Sequence, residues 1–290
     1  MKADKWHSIH IFIHDFQSHD LFIKKLLSPF IQKSDEIKRH FFIRYWQGGP
    51  HIRFRFQAEN AQAIYEEIQQ LIATFKSDYH PKVALTADMF YANHKFDGSQ
   101  PDITELYWMD DLSAYFIPYH PELERYGNAE QLGLNEQLFE YSSAVSEELI
   151  QQLPENHLLL KLLISCRIFR VLEDFLIAQQ HEPISELYEE FWSFQKNPAV
   201  DYAKICRLLG NLEEKVDSRK LLYPLAIRYS VKIKELVTAL DEKTNPTFFR
   251  YMMMSQIHMF NNRMGLPPEF EHLLGGRAIV GKEHRNEMVF

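Results

Sequence analysis

The sequence predicts an α+β fold, in which a ferredoxin-like antiparallel sheet layer packs against a C-terminal multi-helix layer. Three observations carry that expectation. Two runs of alternating apolar and polar residues flank Gln47-Gly48-Gly49-Pro50 and read as a hairpin. Helical stretches lie on either side of that hairpin with strand-like runs outside them, which gives strand, helix, hairpin, helix, strand. From about Ala129 the pattern turns helical, with breaks at prolines.

In chain order, Trp6 to His14 alternates as a strand, with Ile9, Ile11 and Ile13 on one face. Asp20 to Ile31 reads as an amphipathic helix. The hairpin follows over His40 to Gln57, HFFIRYWQGGPHIRFRFQ. In its second arm Ile52, Phe54 and Phe56 point one way, and His51, Arg53 and Arg55 the other. Arg44 adds a third guanidinium from the first arm. Asn60 to Phe75 is a second helix, with Ile64, Ile68, Leu71 and Ile72 on one stripe. Lys82 to Tyr91 and Ala114 to Tyr119 are further strand candidates. Helices are then expected over Glu130–Gln152, His157–Gln179, Ile184–Phe194, Asp201–Val216, Lys220–Leu240 and Thr247–Met264, separated at Pro154, Pro183, Pro198 and Pro246. Residues 1–128 thus form the ferredoxin-like α+β part and 129–290 the helical part packed on it, as one integrated domain. The charged, Gly-containing end from Gly275 to Phe290 reads as partly mobile.

At 290 residues the chain can bury a sizeable core, and 22 Phe with 14 Tyr favour such a core over disorder. A net charge of −8 argues against a general nucleic-acid binder, so a local basic patch suits a small or peptide-borne anion better. No apolar run is long enough for a membrane span, and the N-terminus lacks the apolar core of a signal peptide. Cys166 and Cys206 make neither a metal pair nor a disulfide framework, which points to buried thiols in a reducing cytoplasm.

Three groups of residues carry chemistry. Arg44, Arg53 and Arg55 present planar forks suited to carboxylates or phosphates; the bland alternative is an exposed sheet face whose arginines pair with local acids. Glu122 and Arg125, in YHPELERYG, are three apart and share a face in a short helix, where a simple salt bridge would also explain them. His258, in HMFNNR, lies four residues before Asn262 on one helix face; an imidazole passes protons at neutral pH, although a lone helical histidine is more often structural. His10 and His14 share a strand face but are too few to hold zinc. No P-loop, Gly-rich dinucleotide turn, nucleophile elbow or HExxH is present.

In this order, FFIRYWQGGPHIRFRF, then YHPELERYG, then Glu136 with Phe139, Ser142 and Ser143, then HMFNNR resemble the C-terminal, glutamate-eliminating domain of class I lantibiotic dehydratases. That domain also occurs free-standing, as a thiopeptide-type bacteriocin biosynthesis protein. The resemblance runs from Trp6 to about Arg263, with no counterpart of the longer glutamylating half, so the chain resembles a split-system subunit. It implies a cytoplasmic lyase without cofactor or metal, acting on the leader and glutamylated core of a ribosomal precursor peptide. The partner it implies is a separate tRNA-dependent glutamylating subunit, with no membrane and no direct nucleic-acid contact; a homodimer stays open. The chemistry it implies is β-elimination, in which glutamate leaves an esterified Ser or Thr to give dehydroalanine or dehydrobutyrine.

Carried over by resemblance, Arg53 and Arg55 hold glutamyl carboxylates or the enolate, while Arg44 reads as structural. Glu122 is a candidate base, Arg125 an anion ligand, and His258 a general acid or base. Asn128 departs from the family, which usually has a second glycine after RYG. The nearest alternative is a thiopeptide pyridine synthase, which joins two dehydroalanines in a formal [4+2] cyclisation and expels the leader. A non-catalytic leader-peptide-binding partner, adding a strand to the sheet edge, is another. An RNA-binding module fits worst, because the arginines lack exposed stacking aromatics between them.

Overall fold

The computed structural model describes residues 5–92, 106–154, 157–215 and 223–276, without the side chains of 214–231. Cα packing divides the chain into two compact units, Met1–Pro121 with Ser146–Asn156, and Glu122–Val145 with His157–Phe290. The fold is α+β, with a four-stranded antiparallel sheet and a mostly helical C-terminal part.

In the first unit, β1 (His7–Phe12), β2 (Arg39–Tyr45), β3 (His51–Gln57) and β4 (Ser113–Phe116) lie in the order β2-β3-β1-β4, with every neighbouring pair antiparallel. The first connection holds α1 (Ser18–Phe22), a π-helical turn (Ile23–Leu27) and α2 (Ser28–Lys33). Pro29, which has no N–H to donate, sits just past the widened turn. The second connection carries α3 (Ala61–Phe75), begun by Asn60, whose side chain accepts from Ala63 N at 3.1 Å. Ile64, Ile68, Ile72 and Phe75 then recur at helical spacing and are buried, as the apolar stripe requires.

Those residues pack with Ile9, Ile11, Ile13, Phe42, Ile52, Phe54 and Phe56 in one apolar core. Each such buried side chain stabilises the fold by roughly 1.5–3 kcal/mol relative to exposure. The first unit also draws on the end of α6 (Ala129–Gln152). Ile150 joins its core, Glu147 pairs with His40 at 2.8 Å, and Gln151 donates to Lys24 O at 2.7 Å.

One expectation for this unit is corrected. Lys82 to Tyr91 is not a strand: Thr86 accepts from Met89 N and starts α4 (Ala87–Tyr91), and Val83 is exposed rather than alternately buried. Arg44, in contrast, is structural, as expected, and does not join the arginine face. Its register partner is Ile52, so it projects to the opposite side, where it is buried against Asp20 at 2.5 Å.

In the second unit, α5 (Leu123–Tyr126) precedes the first part of α6, followed by α7 (Leu158–Ala178), α8 (Ser185–Trp192), α9 (Tyr202–Lys215), α10 (Tyr223–Asp241) and α11 (Pro246–Met264). The helices expected from periodicity are present within a few residues; 216–222, at one expected boundary, lie outside the described residues. Glu173 of α7 caps α8, accepting from Ile184 N at 3.1 Å and Ser185 N at 2.9 Å. Asn245 caps α11, Pro246 occupies its first position, and Gly265 ends it at φ 68°. Residues beyond Gly276, where a mobile end was expected, lie outside the described residues. No helix among the described residues is long and apolar enough to cross a membrane.

Candidate active site

The five expected residues fall into two groups. Arg53 and Arg55 belong to the first unit, and Glu122, Arg125 and His258 to the second.

The arginine face starts from the hairpin turn. Gly48 and Gly49 adopt φ of 85° and 106°, a region open to glycine at little cost. A Cβ on Gly48 would also run into the Tyr107 ring, and Gly48 N donates to Tyr91 Oη at 2.9 Å. The turn sets the register that puts His51, Arg53 and Arg55 on one side of β3. Across β1 they meet Phe12, His10 and Ser8; across β2 they meet Tyr45, Ile43 and Phe41. Arg53 lies over the Tyr45 ring at 3.4 Å, and Arg55 over Tyr119 at 4.5 Å. Stacking fixes the plane of each guanidinium without drawing on its N–H donors.

This face is largely buried, with Arg55 7% exposed and His51 fully enclosed. Burial has electrostatic consequences. His10 is pushed down to about 3, first by burial and then by the charges of Arg53 and Arg55. His51 is also held well below its ordinary range, chiefly by burial and then by His10. The two rings stack at 4.8 Å. The histidines therefore stay neutral at neutral pH, and the positive charge of this face sits on guanidiniums. Such a face favours a carboxylate or a developing oxyanion.

In the second unit, Arg125 Nη1 lies 3.4 Å from Glu122 Oε2, so the two share a face as their spacing required. Both are well exposed, unlike Arg55 and His258. Their loop is nonetheless fixed. Tyr126 is buried edge-on against Phe139 at 4.8 Å, and Asn135 Nδ2 donates to Tyr126 O at 3.2 Å. Asn128 caps α6: its Oδ1 accepts from Glu130 N and Gln131 N at 3.0 and 3.1 Å. α5 packs beside α11.

On α11, His258 is buried, stacked on Trp192 of α8 with centroids 4.5 Å apart, and its Nδ1 lies 2.6 Å from Glu271 Oε1. Asn261, rather than the expected Asn262, joins it by donating to Glu271 Oε2 at 3.0 Å. Arg263 is enclosed, donates to Ser143 Oγ at 3.0 Å and lies over Phe139, so the serine block anchors α11 to α6. Sequence reasoning missed Glu271, Tyr188 and Trp192. Tyr188 and Trp192 stood four apart on a helix and could have been read as one face, whereas Glu271 follows Pro267-Pro268 with no local signal. Among the described residues no three His, Cys, Asp or Glu side chains gather as metal ligands.

Residues 6–277 match the family described as lantibiotic biosynthesis dehydratase C-term. The subtilin biosynthesis protein SpaB of Bacillus subtilis is 26% identical over 293 residues, covering 94% of this chain and 25% of SpaB. The chain thus spans about a quarter of that relative's length. The tRNA-dependent lantibiotic dehydratase MibB from Microbispora sp. 107891 shares the fold with a TM-score of 0.63 at 18% identity, over 99% of this chain and 29% of MibB. TbtD, the pyridine synthase from thiomuracin biosynthesis, gives 0.66 at 13% identity, over 97% of this chain and 99% of TbtD.

Proposed function

This chain belongs to the lantibiotic biosynthesis dehydratase C-terminal family, and on that premise we propose that it eliminates glutamate from glutamylated Ser or Thr of a ribosomal precursor peptide. The reaction is a β-elimination. A base takes the Cα proton, its electrons form Cα=Cβ, the Cβ–O bond breaks, and glutamate departs as a carboxylate. Dehydroalanine or dehydrobutyrine remains in the peptide. The Cα–H is a weak acid, so the cost lies in the enolate and in charge on the leaving group.

Each side chain takes one part of that cost. Arg53 and Arg55 stabilise the enolate oxygen or the glutamyl carboxylates. Arg125 is an anion ligand oriented by Glu122, and His258 takes the Cα proton. The observation that carries this reading is His258 paired with a buried carboxylate, in a chain that also sets two arginines side by side on one strand. An imidazole so paired is equipped as a general base, whereas Glu122 is half-exposed and tied to Arg125. The glutamyl ester comes from a separate tRNA-dependent glutamylating subunit, which makes this chain the eliminating part of a split dehydratase.

A glutamylated precursor peptide incubated with the protein should release free glutamate and lose the corresponding mass. No release from a peptide shown to carry the ester would sink the elimination reading.

One observation favours a second reading, pyridine synthesis: this chain and TbtD cover each other almost end to end. A peptide with two dehydroalanines would then be turned into a pyridine. The joint presence of HIRFR, PELER and HMFNNR supports elimination instead. Offering both peptides to the same preparation separates the two.

A further inference from the structure

Behind His258 lies a buried polar cluster that the sequence did not announce. Glu271 is fully enclosed and follows the 3-10 turn Pro268–Phe270. Its Oε1 faces His258 Nδ1 at 2.6 Å, while its Oε2 accepts from the Tyr188 hydroxyl and from Asn261 Nδ2. Tyr188 and Trp192 stand one turn apart on α8, so one helix supplies both the clamp on Glu271 and the stack on the imidazole. Burial and the neighbouring Glu271 push the Tyr188 hydroxyl well above its ordinary range, so it stays a donor.

We propose that Glu271 is the positioning residue of His258, held for that task by Tyr188 and Asn261. The inference rests on the reading of His258 as the base. Tyr188 and Asn261 both donate to Oε2, as suits a carboxylate, and a carboxylate can only accept, which assigns the proton between Glu271 and His258 to Nδ1. The neutral ring then has its lone pair on Nε2, which is the atom that takes the Cα proton. The Nδ1 proton stays in place throughout. As Nε2 is protonated the ring becomes an imidazolium, and the buried carboxylate 2.6 Å away stabilises that charge. Trp192 fixes the ring plane meanwhile.

The test uses the full chain with ¹⁵N-labelled histidine, a His258→Asn variant identifying the His258 signals. In the wild type, Nδ1 should report as protonated and Nε2 as the lone-pair nitrogen. In Glu271→Gln, the amide oxygen keeps the Tyr188 and Asn261 donors, so its N–H turns toward Nδ1 and the ring switches tautomer. Turnover of glutamylated peptide should then fall on the order of 10²-fold or more, with KM changed less than about twofold. If Glu271→Gln does not fold, Tyr188→Phe is read by the same two measurements and should show a mixed tautomer and a smaller loss of turnover. A wild-type His258 protonated on Nε2, or a folded Glu271→Gln with unchanged tautomer and turnover, would overturn the proposal. If the wild type releases no glutamate, the elimination reading fails, while the tautomer measurement still decides what Glu271 does to His258.

Discussion

His10 and Arg53 are register partners on adjacent strands, and they share the sheet face that Arg55 also occupies. That juxtaposition, added to burial, holds His10 at about 3, and His19 is likewise held at about 3 by burial first and Arg44 second. Between about pH 3 and 6.5 the unfolded chain therefore binds more protons than the folded one. Stability is complete above about pH 6.5 and is lost as pH falls toward 3, by up to about 1.4 kcal/mol per pH unit for each histidine. His10→Phe keeps a ring against His51 and should remove about 1 kcal/mol of the difference between pH 6.5 and about pH 5.5. Urea unfolding at the two pH values checks this, and an unaltered difference would mean that His10 is charged in the fold.

Arg44 and Arg55 should respond oppositely to truncation. Removing Arg44 takes the cation of a buried ion pair away from Asp20, so Arg44→Ala should cost about 3–5 kcal/mol of stability. The folded fraction should keep the proposed release of glutamate. Arg55→Ala should instead lower glutamate release by about 10²-fold or more. Denaturation midpoints read beside activity per folded molecule distinguish the two, and equal activity losses would contradict the assignment.

Arg125 makes the complementary case. Its pair with Glu122 is exposed, and such pairs contribute about 0–1 kcal/mol. Arg125→Ala should leave the unfolding midpoint nearly unchanged while raising KM for the glutamylated peptide at least several-fold. Wild-type kinetics in this variant would reduce the pair to a surface salt bridge.

Gly127 is the backbone test of the same loop. It sits at φ 84° and ψ −161°, and an added Cβ would run into Gln131, whose Oε1 accepts from Asn128 N at 2.8 Å. Gly127→Ala should cost about 1–3 kcal/mol. Thermal unfolding of this variant checks the expectation, and a neutral result would mean that the loop readily adopts another conformation.

The strands were legible where one face is apolar and the other polar, as with Ile52, Phe54 and Phe56 against His51, Arg53 and Arg55. Helices were legible where Asn-Pro or Asn capped an apolar stripe, as before α3 and α11. Arg44 was legible as structural only beside the motif that singles out Arg53 and Arg55, because its face depends on pairing with Ile52 across the hairpin. Lys82 to Tyr91 was misread because Thr86 is both β-branched and a helix cap, and its cap won. Glu271 was invisible because its role depends on contacts made 13 and 83 residues away, with His258 and Tyr188.

One helix has a consequence for the order in which the molecule is made. α6 begins in the second unit and ends in the first, where Glu147, Ile150 and Gln151 complete contacts with residues as early as Lys24. A ribosome that has just added Pro121 has produced every strand of the sheet, yet the segment that closes its core is still untranslated. The nascent sheet must wait, with apolar surface uncovered, until about thirty more residues emerge.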